Sequence, residues 1–95
     1  MTVIISSTYL LSHLRKVDFN ENAIMSIEKI DSDTIKINLE DGEIEIYGVS
    51  CGESHQTHFD LLGCDFKNLI AVLKTIPDQP ITLYFGSHLQ MKMMF

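Results

Sequence analysis

The residues best suited to chemistry in this 95-residue chain are Cys51, His55, His58 and Cys64, which together could supply thiolate and imidazole ligands to zinc. Their spacing argues against it. In a strand over residues 54–62, His55 and His58 lie three apart and point to opposite faces, with Cys51 and Cys64 in flanking loops. Solvated histidines and free thiols are the expectation, with a small metal-binding protein as a lesser alternative. Glu43 and Glu45 share one strand face and could hold a cation, but they read as the solvated side of a sheet. His13 joins a mildly basic face and His88 opens a last strand. There is no phosphate loop, nucleophile elbow or dinucleotide fingerprint. A cysteine nucleophile would need a placed base. The expectation is a non-enzyme without cofactor or bound metal.

The elements that carry these residues follow from periodicity. A β-rich opening at Thr2–Ser6 leads to a helix capped by Ser6, Ser7 and Thr8 and running to about Val17. Its apolar stripe is Leu10, Leu11, Leu14 and Val17, opposite Thr8, Ser12, Arg15 and Lys16. Strands are predicted over 22–30, 34–40 and 43–49, the last two joined by the hairpin turn Asp41-Gly42. A further strand spans 54–62. Asp65 is read as the cap of a second helix over 66–76, with Phe66, Leu69, Ile70, Leu73 and Ile76 inward and Lys67, Asn68, Ala71, Lys74 and Thr75 outward. Pro77 stops it. Ile81 to Phe85 and His88 to Phe95 form a closing hairpin. The order is β-α-β-β-β and then β-α-β-β, an internal repeat whose second copy is one strand short. The whole chain, 1–95, reads as one α+β domain.

Composition removes several classes. A hydrophobic share of 45% with 21% charged residues is globular. No apolar run reaches the length of a membrane span, and the N-terminus lacks a secretory pattern. Two cysteines suit a reducing compartment, so a cytoplasmic location with no membrane partner is expected. The net charge of −6 argues against a conventional basic nucleic-acid reader, but the charge is segregated. Residues 7–18 and 65–76 carry Arg15, Lys16, Lys67 and Lys74 against Asp18 and Asp65, a net of +2. The rest of the chain carries −8.

Residues 2–17 (a strand and then a Leu-Leu-x-x-Leu-Arg-Lys helix), the hairpin over 35–47, and the block 65–77 followed by Ile81-Thr82-Leu83-Tyr84-Phe85 resemble one domain of the bacterial DNA sliding clamp, the beta subunit of DNA polymerase III. The resemblance spans nearly the whole chain, through amphipathic motifs rather than catalytic ones. It implies a clamp-like domain of two β-α-β-β(-β) repeats, with both helices on one side of antiparallel sheets. It implies weak, non-specific association with double-stranded DNA, in replication, through Arg15, Lys16, Lys67 and Lys74, with Ser12, His13 and Asn68 adjacent. Self-assembly through edge strands would be required, since bacterial clamp subunits carry three such domains and this chain carries one. Short apolar peptides are the partners implied at the C-terminal strand, at Met93, Met94 and Phe95. The alternative is a homo-oligomeric protein-interaction adaptor of the same fold that does not touch DNA.

Overall fold

The computed structural model describes residues 1–93. Its elements run β1 (Thr2–Ser6), α1 (Ser7–Leu14), β2 (Ile24–Asp31), β3 (Thr34–Leu39), β4 (Gly42–Tyr47), β5 (Ser50–Cys51), β6 (His58–Leu62), α2 (Gly63–Leu73), β7 (Pro80–Phe85) and β8 (Leu89–Met93). The strands form two antiparallel four-stranded sheets, ordered β5-β1-β7-β8 and β4-β3-β2-β6. The fold is therefore α+β.

The alternation of apolar residues decides which way each strand faces. Val3 and Ile5 of β1, Ile81, Leu83 and Phe85 of β7, Met25 and Ile27 of β2, and Ile35 and Ile37 of β3 are buried in one core. Phe59 of β6 meets Phe85 of β7 with ring centroids 6.4 Å apart. Phe19, after α1, stacks on Phe66 of α2 at 5.0 Å. That pair joins the two units' helical regions, and α1 and α2 also pack on one another. The faces read from the helical stripes hold: Leu10, Leu14, Phe66, Leu69 and Leu73 are buried, with Leu11, Val17, Ile70 and Ile76 packed at the margin.

The repeat is interleaved. The first strand of each unit pairs with the first post-helix strand of the other: β1 lies against β7, and β6 against β2. The units then differ. In the first, β3 is flanked by β4; in the second, no strand among the described residues lies beyond β8. The short β5 extends the sheet of β1 on its other side, reached through Gly48 at φ 75°. That left-handed backbone suits glycine.

β2 and β4 shift by one or two residues from the expected 22–30 and 43–49, and boundaries differ more at four places. α1 ends at Leu14, with Arg15 as its C-cap, and the chain reaches Val17 through turn hydrogen bonds (Lys16 N to His13 O, 3.4 Å; Val17 N to Leu14 O, 3.2 Å). α2 starts at Gly63 and ends at Leu73, earlier at both ends than the 66–76 expected, with Leu62 as N-cap. Asp65 is thus inside the first turn; its carboxylate accepts the Leu62 N–H at 3.1 Å. The strand expected over 54–62 is confined to His58–Leu62. Residues 50–51, expected as loop, form β5.

Candidate functional site

Of the four cations, only Lys67 lies within a helix; Arg15 and Lys74 are the C-caps of α1 and α2, and Lys16 follows α1. Lys67 and Lys74 stand seven residues apart along α2 and its C-cap, so they share a face. They line a shallow depression with Val17, Asp18, Phe19, Ile70 and Ala71. Arg15 and Lys16 immediately precede this wall, and all four cations are exposed. The lysines at 29 and 36 are held elsewhere. Lys29 Nζ donates to Gly52 O at 3.2 Å. Lys36 Nζ lies 3.1 Å from Glu28 and 3.4 Å from Glu43 on the outer face of its sheet. There the Asn38 amide also donates to Ser26 Oγ and Glu28. Those contacts hold the Glu28 carboxyl below its ordinary range, Asn38 first and Lys36 second, and Glu28 with Glu43 raises the Lys36 ammonium.

Two acids temper this face: Asp18, already counted against its cations, and Glu21, which lies outside the two helical segments. Asp18 lines the depression, and Glu21 sits 3.8 Å from Lys67 Nζ. Such an exposed pair contributes well under about 1 kcal/mol and yields readily to another anion. Ser12 Oγ donates to its own helix at Tyr9 O, 2.6 Å. The His13 ring stands edge-on to Tyr9 at 4.9 Å. Partial burial, and then Lys16, lower the His13 pKa, which favours the neutral ring. Asn68 departs from the expected group. It lies on the opposite flank of α2, in a second groove, because one residue along a helix turns the side chain by about 100°.

That second groove, about 180 Å³, runs between α2 and β8 and is lined by Asp65, Asn68, Leu69, Val72, Leu89 and Met91. Val72 falls outside the expected apolar stripe and is 43% exposed. An apolar residue on the wet side of α2 is the signal that could have revealed this groove. Met93, from the expected partner site, closes β8 and is 41% exposed. Met94 and Phe95 lie outside the described residues.

The cysteine–histidine set is dispersed. Cys51 is in β5, His55 in the 52–57 loop, His58 in β6 and Cys64 in the first turn of α2. His55 is off the strand on which it was expected, so opposite strand faces are not what separates it from His58. His58 lies 3.4 Å from Asp60. Among the described residues no three Cys, His, Asp or Glu side chains gather as a metal site. Burial raises the Cys51 pKa, so its thiol is less readily ionised. Glu43 faces Lys36, and Glu45 accepts the Tyr47 hydroxyl, so each of the two carboxylates has its own partner. No helix among the described residues is long and apolar enough to cross a membrane. No protein family, curated protein or solved structure matches the chain.

Proposed function

We propose that this chain is a sliding-clamp-like, non-catalytic module of the cytoplasm that associates weakly with double-stranded DNA through its basic helix face and works as an assembly of copies. The observation that carries the reading is the exposed pair Lys67 and Lys74 on one depression, with Arg15 and Lys16 exposed just before Val17 of its lining and Lys29 and Lys36 engaged elsewhere. Cations so placed favour phosphate by attraction and counterion release, without reading bases. Resemblance to a clamp domain supplies the rest: encirclement or docking on the duplex and a role in replication.

The test is fluorescence anisotropy with a labelled duplex at low salt. Wild type binds weakly, with affinity falling steeply as salt rises. Lys67→Glu with Lys74→Glu abolishes binding, and each cation removed lowers the log–log salt slope by about 0.9. Unchanged binding by the double variant sinks the reading.

A second reading, a homo-oligomeric adaptor without DNA contact, draws support from Asp18 and Glu21 beside the lysines and from the net charge of −6. It expects no DNA association at any salt.

A further inference from the structure

Four strands form sheet edges: β4, β5, β6 and β8. β5 has two residues and is too short to recruit a neighbour. β4 carries Glu43 and Glu45, and β6 carries Asp60. Leu89–Met93, Leu-Gln-Met-Lys-Met, is the long edge without a carboxylate, in a chain of net charge −6. Two copies approaching through β4 or β6 would bring carboxylates together, whereas β8 brings only Lys92, which a suitable register keeps from its counterpart.

The backbone of β8 is also poised for this. Phe85 N–H donates to Met1 O at 2.8 Å, and the Met1 amine donates to Phe85 O at 3.1 Å, so Phe85 turns its peptide groups toward β1. Alternation along β7 turns those of Thr82 and Tyr84 toward β8, where they face Lys92 and Gln90. Gln90 and Lys92 are therefore the residues hydrogen-bonded to β7. Leu89, Met91 and Met93 point their N–H and C=O groups outward, with no strand among the described residues to receive them. The same three side chains share the face of Ile81, Leu83 and Phe85, beside the α2 groove. In the first unit, β4 fills the corresponding position with Ile44 and Ile46 on the inner face, and Ile46 is fully buried.

We propose that a second copy of this chain docks here, by antiparallel pairing of β8 with β8 about a two-fold axis at Met91. In that register Met91 faces Met91 and Leu89 faces Met93, so the outward-pointing residues of one copy meet those of the other. Lys92 faces Gln90, and the two lysines are kept apart. A register centred on Lys92 would oppose the two ammonium groups. The result is a continuous eight-stranded sheet with Leu89, Met91 and Met93 of each copy added to the groove of the other. An axis normal to the sheet leaves both copies of α2 on the same side of it. The pairing deepens the self-assembly part of the function proposed above, and it makes a closed pair instead of a head-to-tail ring.

The full chain at about 100 µM, a concentration suited to an interface at the small, weak end of the range, is to be measured by light scattering. The expected mass is twice 10.8 kDa. Met91→Cys is expected to form a disulfide-linked dimer on mild oxidation, well above the background from Cys51 and Cys64 in wild type. Met91→Pro removes an outward N–H without touching the ladder to β7, and Met91→Glu opposes two carboxylates; both give monomers with unchanged circular dichroism. A wild-type monomer, a species larger than a dimer, or no cross-linking of Met91→Cys above background overturns the proposal. A monomer that still binds DNA through Lys67 and Lys74 overturns the pairing alone. A dimer that never binds DNA overturns the DNA reading alone.

Discussion

The junctions β1–α1 and β6–α2 occupy equivalent places in the two units, and different chemistry holds each. In both, the strand passes into the helix without a connecting loop, and the first helical N–H reaches the segment that follows the other unit's helix: Ser7 N to Gln79 O, and Gly63 N to Ala23 O, each 2.9 Å. At the first junction the side chain does much of the work. The buried Ser7 hydroxyl donates to Pro77 O at 3.3 Å and accepts the Gln79 N–H at 3.1 Å, while Ser6 caps the helix by accepting the Tyr9 N–H. At the second, Leu62 has no acceptor to offer, and the backbone itself closes in, with Cys64 N reaching Glu21 O at 3.1 Å. A hydroxyl that reaches two backbone groups can be trimmed. A close backbone contact leaves no room at all.

The largest effect is expected from adding one carbon at the second junction. A Cβ at Gly63 would stand 1.8 Å from Asn20 O and 2.7 Å from its carbonyl carbon, both backbone atoms. Gly63→Ala must displace the 20–23 segment, and urea unfolding should show a loss of about 3 kcal/mol or more. A loss below about 1 kcal/mol would show that the segment yields freely and that the contact is not what fixes α2. Ser7→Ala keeps the helix but strands the Gln79 N–H and removes a donor from Pro77 O, for an expected cost of about 1–3 kcal/mol. Should Ser7→Ala prove costlier than Gly63→Ala, the contrast is reversed.

Smaller effects separate the caps. Asp65→Ala removes the carboxylate that accepts the Leu62 N–H in the first turn of α2, and is expected to cost about 1 kcal/mol in the same measurement. At the other junction the hydroxyls of Thr8 and then Ser6 hold the Asp78 carboxyl below its ordinary value of 3.8. A depressed folded-state pKa means stability that is present above 3.8 and lost as pH falls through the lower folded value. Asp78→Asn should therefore be slightly less stable than wild type at pH 7, and the gap should close in acid. A gap that persists at pH 2 would place the contribution of Asp78 in packing rather than charge.

These junctions also mark where the sequence stops being legible. Apolar spacing locates the buried stripes of both helices, and alternation gives the face of β4 that carries Glu43 and Glu45, because period is a local property. Aspartate's preference for the cap position points to Asp65 as the cap. The true start at Gly63 depends on Asn20 and Ala23, some forty residues away, and no local pattern encodes that approach. Two-residue β5 is too short to show alternation. For the basic face, the sevenfold spacing of Lys67 and Lys74 was readable. Glu21 beside Lys67 was not, because it lies in a connection whose path is set by Phe19 packing on Phe66. Adjacency in sequence groups Asn68 with Lys67, although helical geometry turns it toward β8.

The exchange of first strands between the units governs how the chain can reach its structure. Phe85 N–H bonds to Met1 O across 84 positions, and β1 is seated in its sheet against β7. β2 and β3 can zip locally, but β1 waits for nearly the whole chain, so loop closure over long distances must precede much of the pairing. Neither unit is a foldable half. Each holds a strand whose neighbour belongs to the other, and a chain cut in the 53–57 segment would leave two pieces that acquire order only by finding one another.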